Sequence, residues 1–214
     1  MSDITLETPE QLPKLVTHQR PLPSEPNIVG ESPLHHADLD SIATQGPQVG
    51  GVHFCEHKLL GLLTLRCTPS SEQQSEITAL LGVALPMKPL TSVVNGDELL
   101  IIVPGEQAFD IETRFFETLS GHFSLVNISG GSTVFDVSGD HVVDMLKKSI
   151  PVDLHIREFP VGKVVSTIFA KSGAIICRLG DNHFELVVRR SFADYLWLWI
   201  QDASREYGLV VKAT

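Results

Sequence analysis

The chain has 214 residues, a formal net charge of -10, 43% hydrophobic and 20% charged residues, so it is long enough to bury a core as one domain or two small ones. The acidic balance argues against a nucleic-acid surface, which needs clustered Lys and Arg, and apolar runs such as "ELLIIVP" fall far short of the roughly 20 residues a membrane helix needs. The opening "MSDITLETPEQLPK" lacks the apolar stretch of a signal peptide, and Cys55, Cys67 and Cys177 are odd in number and widely spaced, which fits a reducing cytoplasm rather than a disulfide framework or a zinc site.

Residues 1–50 hold seven of the thirteen prolines and seven acids against two bases. That composition disfavours a packed core. Residues 1–48 therefore read as a Pro-rich acidic arm, partly disordered, with "SPLHHADLDSIA" (32–43) as a short helix. His35 and His36 are adjacent and do not share a helical face as two metal ligands would.

From Gly50 onward strands and helices alternate. "GVHFCEH" and "LLGLLTLRC" read as strands. "SSEQQSEITALLG" reads as a helix stopped near Gly82, and "TSVVNGDELLIIVP" as a hairpin with Asn-Gly at its turn. In "GEQAFDIETRFFETLSG", Ala108, Ile111, Phe115, Phe116 and Leu119 form a helical stripe that ends before Gly121. "HFSLVNIS" and "STVFDVSG" are strands around "GG". "SGDHVVDMLKKS" is a helix with Ser138 as its cap, Asp140 near its positive end and Lys147 and Lys148 near its negative end. "KVVSTIFA", "GAIICRLG" and "HFELVVRR" are three further strands. Strands come in hairpins, so the expected class is α+β: two mostly antiparallel halves, residues 49–121 and 122–214.

The last helix begins at Ser191, with Asp194 as a capping-box-like partner. It carries both tryptophans, Trp197 and Trp199. With Phe192 as the zero of a helical wheel, Tyr195, Leu196, Trp199, Ile200, Ala203 and Tyr207 share a broad apolar band, and Trp197 and Leu198 fall outside it. Trp199 is thus expected in the core. Trp197 and Leu198 are expected at a subunit interface, where tryptophan is enriched among residues that carry binding energy.

The sequence contains neither common nucleotide-binding loop, no G-x-S-x-G elbow and no clustered Cys/His ligand set. Asp136 and Asp153 lie beside strands or turns, where carboxylates usually accept backbone amides. His155 and Arg157 share one side of an extended segment, with Glu158 as an ion-pair partner. No catalytic, cofactor-binding or metal-binding residue is expected in this chain.

The C-terminal half resembles the gamma subunit of heterotetrameric sarcosine oxidase. The resemblance rests on Ser138, Gly139 and Leu146, on "PVDLH" (Pro151 to His155), "FPVGKVVST" (Phe159 to Thr167), Arg178 and "RSFADYLWLWI" (Arg190 to Ile200). Upstream, "SPLHH", "GVHFCEHKLLGLLTLR" and "LGVALPMKPLTSV" look like the family's N-terminal pattern, which extends the likeness over about residues 32–208. "IVPGEQAF" (Ile102 to Phe109) departs from a family segment that carries tryptophan. The resemblance implies a fold similar to the folate-binding region of aminomethyltransferases, without the folate-binding residues. It also implies a cytoplasmic heterotetramer with alpha, beta and delta subunits that oxidatively demethylates sarcosine to glycine, with hydrogen peroxide and a one-carbon unit passed to tetrahydrofolate. FAD, FMN, NAD, tetrahydrofolate and zinc are implied for the partner subunits, and a structural or assembly role for this chain. The alternative is a stand-alone folate-binding protein of the aminomethyltransferase type.

Overall fold

The computed structural model describes residues 30–68, 70–83, 92–95 and 98–213. The expected arm at 1–29 and the Gly96-Asp97 step of the hairpin lie outside the described residues. In chain order the elements are α1 (Leu39–Gln45), β1 (Val52–His57), β2 (Leu60–Arg66), α2 (Ser71–Val83), β3 (Ser92–Asn95), β4 (Glu98–Pro104), α3 (Ala108–Thr118), β5 (Ser124–Asn127), β6 (Ser132–Ser138), α4 (Val142–Lys147), β7 (Val164–Phe169), β8 (Ser172–Gly180), β9 (His183–Arg189), α5 (Ala193–Ala203) and β10 (Leu209–Val211). Short 3-10 turns precede α1, α3, β6 and α5.

The class is α+β, with two sheets. One has six strands in the order β10-β1-β6-β9-β8-β7, and the other has four in the order β3-β4-β2-β5. The strands do not keep to the expected division near residue 121. β1 comes from the first half but lies between β10 and β6, while β5, from the second half, pairs with β2. β10 is an addition to the expected elements and runs parallel to β1; three residues are too few to show a two-residue period.

Alternation along the strands gives each face its partner. On one face of the six-stranded sheet Phe54, Phe135, Val137, Phe184 and Leu186 pack beneath α4 and α5, meeting Met145, Leu146, Leu196 and Ile200. Leu63, Leu65, Ile101 and Val103 of the four-stranded sheet pack with Ile111 and Phe115 of α3 and Ile77 of α2. A smaller group, Leu62, Leu100, Val134 and Val187, with Ile102 and Ile175 beside it, joins the inner faces of the two sheets. The order of layers is helices, six-stranded sheet, four-stranded sheet, helices.

The described part of the arm is docked on the chain itself. Leu34 and Leu39 are buried in the larger core, and Ser32 Oγ donates to Glu56 Oε2 at 2.8 Å. Thr133 Oγ1 donates to Glu56 Oε1 at 2.9 Å. The buried Glu56 carboxylate thus has a hydroxyl on each oxygen, which offsets its loss of water.

Two expected caps are corrected. Ser138 is the last residue of β6, and α4 begins after His141 with no side-chain cap. Gly139, at φ 116°, makes the turn between them; a Cβ there would come within 2.5 Å of the Gly51 carbonyl oxygen, so only glycine fits without strain. Arg190 to Phe192 form a 3-10 turn, and α5 starts at Ala193 without a side-chain cap. Asp194 instead meets His36 Nε2 at 2.8 Å. Lys148, expected to complement α4, reaches the end of α5, donating to the Ala203 carbonyl at 2.7 Å and pairing with Glu206. In α3 the stripe holds except at Phe116, which is exposed and packs on Phe123 with ring centroids 5.6 Å apart.

Candidate functional site

Two surfaces concentrate chemistry. The first is the outer side of α5. Its buried residues are Ala193, Leu196, Trp197, Ile200 and Ala203, a spacing of three and four that defines one helical stripe. The expected assignment of the tryptophans is therefore reversed. Trp197 is 4% exposed and lies against Phe54, ring centroids 4.7 Å apart. Trp199 is 37% exposed; its indole N–H donates to Ser149 Oγ at 2.6 Å, and Tyr195 lies beside it.

The physical reason lies at the start of the helix. Phe192, used as the centre of the wheel, belongs to the preceding 3-10 turn and is exposed. Starting from it rotates the expected stripe toward Tyr195 and Trp199 and away from Ala193 and Trp197, which are buried against the sheet. Leu198 does face outward, at 56% exposure. Leu198 and Trp199 thus leave α5 with exposed apolar groups, and Phe192 adds another on the turn before it. A groove beside α5 is lined by Ile42, Pro47, Trp197, Leu198, Gln201 and Leu209.

The second surface lies on the face of the six-stranded sheet turned toward the other sheet, beyond the reach of the small inter-sheet core. Register places Cys55 opposite Asp136, Asp136 opposite Glu185, and Glu185 opposite Cys177. His57 and His183 lie two residues from members of this row and so share its face. His183 Nε2 is 2.5 Å from Asp136 Oδ2. His57 Nε2 is 3.7 Å from the same oxygen and 4.0 Å from Glu185 Oε1.

The electrostatics follow from this crowding. Burial alone would raise the Asp136 carboxyl, but His57 and His183 outweigh it and hold the group below the ordinary carboxylate value. Asp136 in turn lifts His57 above its ordinary value, against burial. Glu185 is pushed up by burial, and burial pushes the Cys177 thiol up to about 11. Cys177 thus stays protonated at neutral pH and is a poor ligand or nucleophile beside the row.

Of the other sequence candidates, Asp153 does accept a backbone amide, that of His155, at 2.8 Å, and His155 Nδ1 accepts the Arg157 amide. Asp136 does not follow that pattern, since histidines are its partners. Arg178 is a buried clamp: NH1 donates to the carbonyls of Leu154 and Phe159 and Nε to that of Gly180, while its guanidinium lies over Phe184. It holds the loop between α4 and β7 against the sheet. In the departing segment, Pro104 ends β4, a 3-10 turn covers Gly105–Gln107, and Phe109 on α3 is exposed.

Comparison with known proteins agrees with the resemblance carried by the motifs. The model of the sarcosine oxidase gamma subunit family matches residues 76–206. The sarcosine oxidase subunit gamma of Corynebacterium sp. (strain U-96) is 29% identical over 155 residues, covering 68% of this chain and 76% of the relative. That of an Arthrobacter species is 26% identical over 195 residues, covering 86% and 94%. A chain of the heterotetrameric sarcosine oxidase from Corynebacterium sp. U-96, solved in complex with pyrrole 2-carboxylate, superposes with a TM-score of 0.69 at 24% identity, covering 83% of this chain and 95% of that one. The glycine cleavage system aminomethyltransferase T from Bartonella henselae gives 0.50 at 12% identity, covering 77% of this chain and 48% of that one. The expected aminomethyltransferase-like fold is therefore present.

Proposed function

The chain belongs to the sarcosine oxidase gamma subunit family, and from that premise we propose that it is a non-catalytic structural subunit of a heterotetrameric sarcosine oxidase. In this proposal the assembled enzyme oxidatively demethylates sarcosine to glycine in the cytoplasm, releases hydrogen peroxide and passes the one-carbon unit to tetrahydrofolate. The alpha, beta and delta partner subunits hold the FAD, FMN, NAD, tetrahydrofolate and zinc of that reaction. No helix among the described residues is long and apolar enough to cross a membrane.

The observation that carries the proposal is that α5 keeps large apolar groups exposed. A helix on a sheet needs one apolar stripe, and α5 satisfies it with Leu196, Trp197 and Ile200. Leu198 and Trp199 of the helix, and Phe192 on the turn before it, are further large apolar groups exposed among the described residues. Large apolar groups left exposed beside a helix already seated on its sheet are the kind that protein-protein contact covers. Leu198 thus keeps the interface role read from the sequence, while Trp199 and Phe192 take the place beside it given there to Trp197.

The competing stand-alone folate-binding reading draws on the likeness to aminomethyltransferase T, which is one of fold, and fold alone does not specify activity. Co-expression of the full chain with the large subunits separates the two. The chain should co-purify in stoichiometric amount, and the chain alone should show neither flavin absorbance nor tetrahydrofolate binding. Saturable tetrahydrofolate binding by the isolated chain, with no partner retained, would favour the alternative.

A further inference from the structure

The row of titratable groups on the six-stranded sheet, beyond the inter-sheet core, is not used by a purely structural role. His57, Asp136 and Glu185 come from β1, β6 and β9, adjacent strands of one sheet, and each offers a ligand atom within 4.8 Å of the others. Four features distinguish this arrangement from a chance surface cluster. The three side chains are partly buried. They stand on paired strands, so their spacing is fixed by sheet register rather than by loops. Their donor set is mixed, one imidazole nitrogen with two carboxylates. Their formal charge, -2 with His57 neutral, balances a divalent cation.

We propose that His57, Asp136 and Glu185 form a binding site for a divalent transition metal of the zinc class, with His183 fixing Asp136 from outside the ligand set. Imidazole with carboxylates suits zinc-like ions, whereas calcium and magnesium favour oxygen-only cages. Ligand atoms about 2.0–2.2 Å from a tetrahedral zinc are about 3.3–3.6 Å apart. The separations of His57 Nε2 from Asp136 and Glu185, 3.7 and 4.0 Å, need only small side-chain rotations to reach that spacing. His183 Nε2, on Asp136 Oδ2, is placed as an outer partner that orients a ligating carboxylate. A bound metal neutralises two crowded carboxylates, while a fourth position remains for water or a group from a partner. The site lies on β1, β6 and β9, away from α5, so it stands or falls separately from the assembly role.

The test uses the full-length chain, treated with chelator and titrated first with Co2+ and then with Zn2+ in competition. The expected result is one saturable equivalent with the visible absorption of four-coordinate cobalt, displaced by zinc. His57→Ala and Glu185→Gln should each abolish the band. His183→Gln should keep it but weaken binding by about 10–100-fold, and Asp153→Asn should change nothing. Circular dichroism checks that each variant is folded, and the wild-type titration decides the matter even if one variant is not. The proposal is overturned if the wild-type chain binds no stoichiometric cobalt. It is equally overturned if folded His57→Ala or Glu185→Gln retains the band, which would place the metal elsewhere.

Discussion

Replacing each tryptophan of α5 by alanine in turn tests how that helix is seated. Trp197 is almost wholly enclosed, its ring 4.7 Å from that of Phe54, which in turn packs on Phe135 at 5.1 Å. The surrounding Phe54, Leu196 and Ile200 are fully buried and anchored on the sheet or the helix, so the site cannot collapse freely. Trp197→Ala should then cost about 3–5 kcal/mol, the range for large aromatics removed from a core. For a domain of this size, about 2–4 °C per kcal/mol lowers the midpoint by about 6–20 °C. Trp199 loses mainly its hydrogen bond to Ser149 and the part of its ring that is covered. Trp199→Ala should therefore cost about 1 kcal/mol for the bond and about 1–2 kcal/mol for the covered part of the ring, less than Trp197→Ala. Melting of both full-length variants followed by circular dichroism avoids the change in fluorescence that the mutations cause. A Trp199→Ala loss equal to or larger than that of Trp197→Ala would refute this seating of the helix.

Further expectations follow from particular contacts. Acrylamide should quench Trp199 readily and Trp197 hardly at all, seen by comparing Trp197→Phe with Trp199→Phe. Arg178→Met strands the carbonyls of Leu154 and Phe159; it should cost about 3 kcal/mol or more, at about 1–3 kcal/mol for each buried group left unpaired, and should speed hydrogen exchange at residues 151–163. Thr133→Val removes one of the two hydroxyls on buried Glu56 and should cost about 1–3 kcal/mol, measured by urea denaturation. Glu206 is held below its ordinary value of 4.5 by Lys148 first and Tyr207 second. A lowered carboxylate stabilises the fold above that ordinary value, and the gain is lost as pH falls through the folded value. Glu206→Gln should therefore flatten the acid side of the stability profile below about pH 4.5 and leave its shape at neutral pH unchanged.

Much of the fold could be read from local pattern, because alternation in "GVHFCEH", "STVFDVSG" and "HFELVVRR" is a two-residue signal that needs no partner to be seen. Strand order is non-local. Nothing in the sequence of β1 shows that it leaves its hairpin neighbour β2 for the other sheet, and this is why division into sequential halves did not match the layers. The face of α5 is not legible, for a local reason: a wheel centred on Phe192, which precedes the helix, draws the stripe toward Tyr195 and Trp199 and leaves out Ala193, although small residues mark where a helix comes closest to its sheet. The motifs carrying the family resemblance were legible through their order and spacing, and Arg178 shows what one of them does, since its side chain ties a loop to the sheet. The cluster of His57, Asp136, His183 and Glu185 could not be assembled in advance. Each strand shows only that a histidine or an acid occupies one face; the order β1-β6-β9 is what brings those faces together.

Recovery of the chain with its partner subunits when Leu198 is charged tests the assembly role most directly. Leu198→Glu alters an exposed residue and should change the stability of the chain alone by no more than about 0.5 kcal/mol. Co-expressed with the large subunits, the variant should be lost from the purified complex, and Trp199→Glu should behave in the same way. Stoichiometric recovery of both charged variants in a fully active complex would contradict the assignment of the outer side of α5 as the subunit contact.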